Sequence, residues 1–259
     1  MSEISEIESR KATLDLSIAG TYQIFMPYEF TDRVGDVAFP GFCDPVEMLA
    51  YPLDQVPAKA IERYSWKALS TWGTVDDLKH FLPRLLELAI AKSSVNELID
   101  PVTVFGKLRY ARWPSWPERE QNTIAEFLHA LWAYVIALPP DAVANLTSFS
   151  DANDCLDAID RATDEITPFL DQWLNDATTS DIRANAAAQI ALTVLDSSER
   201  LSLKGTANRH GHAFDRWLQS KKLAECLAKA YLENPESKYA GDISDAEAFV
   251  RMRVTTRQP

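Results

Sequence analysis

The sequence predicts an all-α fold, an irregular array of antiparallel helix pairs that is HEAT-like in outline. Three observations lead there. Glycine fills only 8 of 259 positions, too few for a turn-rich β-protein. Apolar residues recur every three to four positions along most of the chain, which is the period of a helix and not of a strand. Helix-start signals stand in front of those runs, either Asp-Pro or a Ser/Thr with an acidic residue three positions on. With 46% apolar and 25% charged residues the chain can bury a large core, which excludes global disorder.

Leu14, Ile18, Tyr22 and Phe25 recur once per turn and predict a first helix through Gly20. Segment 27–43 holds two prolines and two glycines without a period and reads as a loop. Asp44-Pro45 starts a short helix to about Tyr51. Pro57 opens another to Thr71, with Ile61, Tyr64, Ala68 and Leu69 on its inner face. At Trp72-Gly73-Thr74 the glycine suits a left-handed cap, and Thr74 with Asp77 has capping-box spacing. The stripe Leu78, Phe81, Leu82, Leu85 and Ala89 then carries a helix to Lys92, with a kink expected at Pro83. Asp100-Pro101 begins a helix through Trp113. Ser115 with Glu118 has the spacing of a second capping box, and the helix behind it, to Leu138, is apolar over more than half its circumference and so expected to be central.

Pro139-Pro140 ends that helix, and further helices are expected at 151–175, 180–196, 208–232 and 244–253, the last opened by Ser244 and Glu247. Strand candidates, Thr21 to Phe25 and Leu201 to Leu203, are short. Each half of the chain carries 19 acidic and 13 basic side chains, so no charge step divides it. The expectation is a single all-α domain over 1–259, with a lobe boundary best placed near 139–140.

The net charge of −12 argues against nucleic acid and against an anionic membrane as partners. No apolar run approaches the ~20 residues that span a bilayer. The stretch MSEISEIESRK has no apolar core of a secretory signal, and Cys43, Cys155 and Cys226 are far apart and odd in number. These features fit a reducing cytoplasm.

Two strings are distinctive: Ala68, Leu69, Thr71, Trp72, Gly73, Asp77, Lys79, His80, Phe81, Leu82, Pro83 and Arg84, then Gly106, Lys107, Leu108, Arg109, Tyr110, Ala111 and Trp113. They resemble a bacterial family of uncharacterised helical proteins sharing A-L-x-T-W-G-x-x-x-D-x-K-H-F-L-P-R and G-K-L-R-Y-A-x-W. The likeness spans about residues 40 to 138 and implies a helical fold and no particular activity. Relatives carry more than one cysteine before the second helix, where this chain has only Cys43, which counts against a metal site there.

Four groups of residues have the chemistry for a site. Asp76 and His80 are four apart on one helix face, with Asp77 nearby and Lys79 and Arg84 on the helix's polar face, a pattern that orients an imidazole as general base or makes part of a metal site. Lys107, Arg109, Tyr110, Arg112, Trp113 and Trp116 combine the residue types of interface hot spots. Asp151, Asp154, Asp157, Asp160 and Asp164 recur every three or four residues as an acidic ridge suited to steering a basic partner. His210 and His212 lie beside Lys204, Arg209, Arg216, Lys221 and Lys222, a basic patch. Phosphate loops, dinucleotide fingerprints, nucleophile elbows and zinc-helix motifs are all missing from the sequence.

The expected function is therefore a non-enzymatic protein-binding module without a cofactor or metal, in its most concrete form an acidic immunity- or antitoxin-type inhibitor of a basic partner. Its binding residues are Arg84, Arg109, Tyr110, Trp113, Trp116, Asp151, Asp154 and Asp157. The alternative is a metal-assisted or acid–base enzyme acting on a small anion at Asp76, Asp77 and His80.

Overall fold

The computed structural model describes residues 2–31, 45–92, 99–200 and 211–255, and within them the chain is helices and connecting turns without a strand. The helices are α1 (Glu3–Phe25), α2 (Pro45–Leu49), α3 (Ala58–Lys67), α4 (Val75–Ile90), α5 (Pro101–Tyr110), α6 (Glu118–Ala137) and α7 (Pro140–Leu146), followed by α8 (Ala152–Ala162), α9 (Thr167–Thr179), α10 (Arg183–Arg200), α11 (Gly211–Trp217), α12 (Lys221–Glu233) and α13 (Ala240–Thr255). The all-α expectation holds. None of these helices is long and apolar enough to cross a membrane.

α6 is central. Its Ile124, Phe127, Leu128, Leu131, Trp132, Val135 and Ile136 are buried, and α1, α8, α9 and α10 pack around it. α5 lies against α8, and α10 against both α9 and α13. Contacts thus skip along the sequence, whereas a solenoid stacks each unit on its neighbours. Across Pro139-Pro140, the Asn185 amide donates to the Ala137 carbonyl and the Gln189 amide to those of Val135 and Leu138. Arg10 of α1 pairs with buried Asp176 of α9.

Several boundaries differ from expectation for local reasons. α3 stops at Lys67 and not at Thr71, because Leu69 takes a left-handed φ of 63° and the Lys67 carbonyl accepts from the amides of Ser70, Thr71 and Trp72. Ala68 is buried all the same, within the turn. Ser115 does not cap α6: it ends a short 3-10 turn and its hydroxyl donates to the Arg112 carbonyl, leaving Pro117 in the cap position. The span 151–175 is two helices broken at 163–166, where Pro168 in the first turn of α9 has no N–H with which to continue from α8. The span 208–232 likewise breaks, and Ser220 caps α12. α13 starts at Ala240, so Ser244 lies inside it and caps nothing. Thr21 to Phe25 is the last turn of α1, and Leu201 to Leu203 lies outside the described residues. α4 runs on through Pro83, which is buried.

One polar group is built into the core. Lys79 of α4 and Glu120 of α6 are 5% and 6% exposed and form an ion pair of 2.8 Å. Tyr28, just past α1, completes it: its hydroxyl accepts from Lys79 Nζ at 2.9 Å and donates to Glu120 Oε1 at 2.6 Å. The ammonium also sits 4.6 Å from the ring centroids of both Tyr28 and Trp116. Burial alone disfavours the Lys79 cation, but its bonds to Glu120 and Tyr28 outweigh that and raise its pKa above the ordinary 10.5. Burial, and then the bond to Glu120, raise the Tyr28 phenol as well.

Truncation of one partner strands a buried charge, so Lys79→Ala is expected to cost about 3–5 kcal/mol in urea denaturation, while Lys79→Met/Glu120→Met recovers most of the loss. Both Lys79 and Tyr28 hold their protons more tightly folded than unfolded. Their contribution to stability is therefore fully present below about pH 10 and declines as the pH rises through the raised values, and denaturation midpoints across the alkaline range measure this.

Candidate functional site

The turn before α4 is set by sequence. Gly73 has a φ of +74°, and a β-carbon there would stand 3.1 Å from that of Asp77. Thr74 then caps α4 with the expected reciprocal box: its Oγ1 accepts from the Asp77 amide, and Asp77 Oδ2 accepts from the Thr74 amide and hydroxyl, each at 2.8 Å. The other oxygen, Oδ1, accepts from the amide and hydroxyl of Thr31 at 2.7 and 3.1 Å. Asp77 is thus fully buried and its oxygens are engaged by backbone and hydroxyl donors.

His80 is half-buried, one turn further on. Its Nδ1 lies 2.7 Å from the Tyr28 carbonyl, to which it donates, and its ring stacks on Phe30 and meets Phe81 edge-on. Asp76 is exposed, and among the described residues no hydrogen bond joins it to His80. Arg84 donates through Nε to the Val56 carbonyl at 2.8 Å and pairs with Glu87, whose carboxylate also accepts from Tyr22. Asp77 and His80 therefore hold the segment Tyr28 to Thr31 to α4, and Arg84 holds the segment at Val56.

The aromatic-basic cluster divides in the same way. Trp116 is buried, donates to the Ala111 carbonyl at 3.0 Å and meets Phe25 edge-on. Trp113 is half-buried and donates to the Ala162 carbonyl at 2.6 Å. Arg109 donates to the Thr163 carbonyl and forms an ion pair with Asp164. Lys107 donates to the carbonyls of Trp66 and Ala68, both at 2.8 Å, closing the end of α3. Burial, then the nearby Lys67, lower its pKa. Tyr110, 68% exposed, and Arg112 remain at the surface, as does Trp66 of α3, 57% exposed.

The acidic ridge survives in part. Asp151 caps α8 and accepts from the Asp154 amide, while Asp154 accepts from the Ser150 amide. Half-buried Asp154 and Asp157, with exposed Arg161 between them around the helix, lie on the side of α8 away from the buried Ala152, Cys155, Leu156 and Ile159. Asp160 is buried and Asp164 sits in the break after α8, so neither continues the row. Burial raises both the Cys155 and Cys226 thiols, the latter to about 11, as befits core residues. Of the basic patch, Lys204, Arg209 and His210 lie outside the described residues, and His212 is exposed. Among the described residues no three His, Cys, Asp or Glu side chains gather as for a metal ion.

Lys79, expected on a polar face, and Glu120, which no motif singles out, are both buried. The signal was there: Lys79 is in step with Leu82 and Leu86, and Glu120 with Ile124, Phe127 and Leu131, on the buried sides of their helices. Comparison with known families, curated proteins and solved structures finds no match.

Replacement of Asp77 by Ala is expected to lose about 2 kcal/mol, as a cap and an anchor for Thr31 go together, whereas Asp76→Ala stays within about 0.5 kcal/mol in the same denaturation assay.

Proposed function

We propose that this chain is a non-enzymatic, cytoplasmic protein-binding module that docks a basic partner, in the manner of an immunity or antitoxin protein that masks its target. The observation that supports the reading is the acidic side of α8, with exposed Asp151 at its cap and half-buried Asp154 and Asp157 along it, backed by a buried inner face. A rigid row of like charge raises the encounter rate with an oppositely charged surface and adds less to the lifetime of the complex. Exposed Tyr110 and Trp66, near the end of the neighbouring α5, supply large apolar contact area of the kind that dominates interface energetics. The function also agrees with the work done by the acid–base residues. Asp77, His80 and Arg84 each spend their polar atoms on the backbone or side chains of adjoining segments.

The test begins with affinity purification from the native host and identification of a stoichiometric basic protein. Asp154→Lys/Asp157→Lys is then expected to slow capture of that protein about tenfold at low ionic strength, with the rates converging at high salt. Capture that is equally fast for the variant at low salt removes the α8 surface from the proposal.

A further inference from the structure

The two charged surfaces of this fold stand on either side of one helix. α5 touches α3 on one flank and α8 on the other. α3 carries exposed Lys59 and half-buried Arg63 and Lys67, four residues apart and so on one face, with exposed Trp66 on the same side. α8 carries exposed Asp151 at its cap and half-buried Asp154 and Asp157. The basic row is about 12 Å long and the acidic row about 9 Å, at 1.5 Å per helical residue. Residues 101–117, which include α5, carry three basic and no acidic side chains, in a chain whose net charge is −12.

α5 itself has features of a contact helix. Tyr110 is 68% exposed at its end. Gly106 lies one turn before it, and a β-carbon at Gly106 would meet nothing within 4 Å, so the interior of the fold makes no use of the missing side chain. Glycine weakens a helix, and an outward glycine lets another backbone approach closely.

We propose that a second copy of this chain docks here, forming a twofold dimer with α5 at the axis. A twofold contact brings the same patch of two molecules together. With base on one flank of α5 and acid on the other, the rotation lays the α3 row of each copy over the α8 row of its partner. Both charge contacts form at once, and Trp66 and Tyr110 of each copy are covered between them. This dimer needs no foreign partner, although it shares Asp154 and Asp157 with the docking surface proposed above. It therefore makes self-association and capture of a basic partner mutually exclusive, and a partner would have to displace the second copy.

The experiment is sedimentation equilibrium of the full chain at micromolar to hundred-micromolar concentration, at low and high salt. The wild type is expected to double its mass at low salt and to dissociate as salt is added. Two variants follow, Lys59→Glu/Lys67→Glu and Asp154→Lys/Asp157→Lys, each checked by circular dichroism for an unchanged fold. Each alone places like charge on like charge at both contacts and should remain monomeric. An equimolar mixture of the two places opposite charge at both contacts and should restore the dimer, which a nonspecific charge effect would not do. Trp66→Ala/Tyr110→Ala should weaken association at least tenfold. A wild type that stays monomeric throughout, variants that dimerise like the wild type, or a mixture that fails to associate each overturns the proposal. None of those results bears on whether the monomer captures a basic protein, so the two readings fail separately.

Discussion

Burying an ammonium and a carboxylate together is expensive in desolvation, and for the Lys79–Glu120 pair that cost is offset by its mutual attraction and by the groups around it. Tyr28 accepts from one charge and donates to the other, and two aromatic faces lie against the cation. Those demands fix three elements at one point, namely the chain leaving α1, the start of α4 and the first turn of α6. A hydrophobic contact in the same place would permit sliding or rotation, since apolar packing has little directional preference. The ion pair admits one arrangement.

Tyr28 to Thr31 is the segment that most depends on that arrangement. α4 grips it three times within four residues, through Asp77 to Thr31, Lys79 to the Tyr28 hydroxyl and His80 to the Tyr28 carbonyl. Asp77 and His80, two of the residues that look catalytic in sequence, thereby clamp this segment. A segment without regular structure has backbone groups that must find partners once buried, and helix side chains supply them. The concentration of Asp, Lys and His at the start of α4 follows from that need.

A parallel arrangement holds the other side of the molecule. Trp113 and Arg109 reach from the end of α5 to the carbonyls of Ala162 and Thr163, occupying the backbone acceptors left open where α8 stops. This fastens α8 by its end and by its buried face and leaves Asp151, Asp154 and Asp157 outward. The same α5 that holds α8 through Arg109 holds the end of α3 through Lys107, joining two helices that about 90 residues of sequence separate.

What the sequence determined by itself was local. The helical period, the Thr74–Asp77 box, the left-handed Gly73 and the Asp100-Pro101 start were legible because each depends on residues within one turn of one another. The centrality of α6 was legible from its apolar circumference. The breaks at 163–166 and 218–220 were not, since a continuing apolar stripe looks the same whether one helix or two short ones present it. Nor was the site. Whether Asp77 and His80 face a substrate or clamp Thr31 and Tyr28 turns on residues some 50 positions away, and Lys79 looked solvated until Glu120 and Tyr28 were brought to it. Pairing of charges is decided by distance in space, to which spacing along the chain gives no guide beyond a turn or two of helix; only the tertiary structure could say which polar residues were building the fold and which were left facing outward.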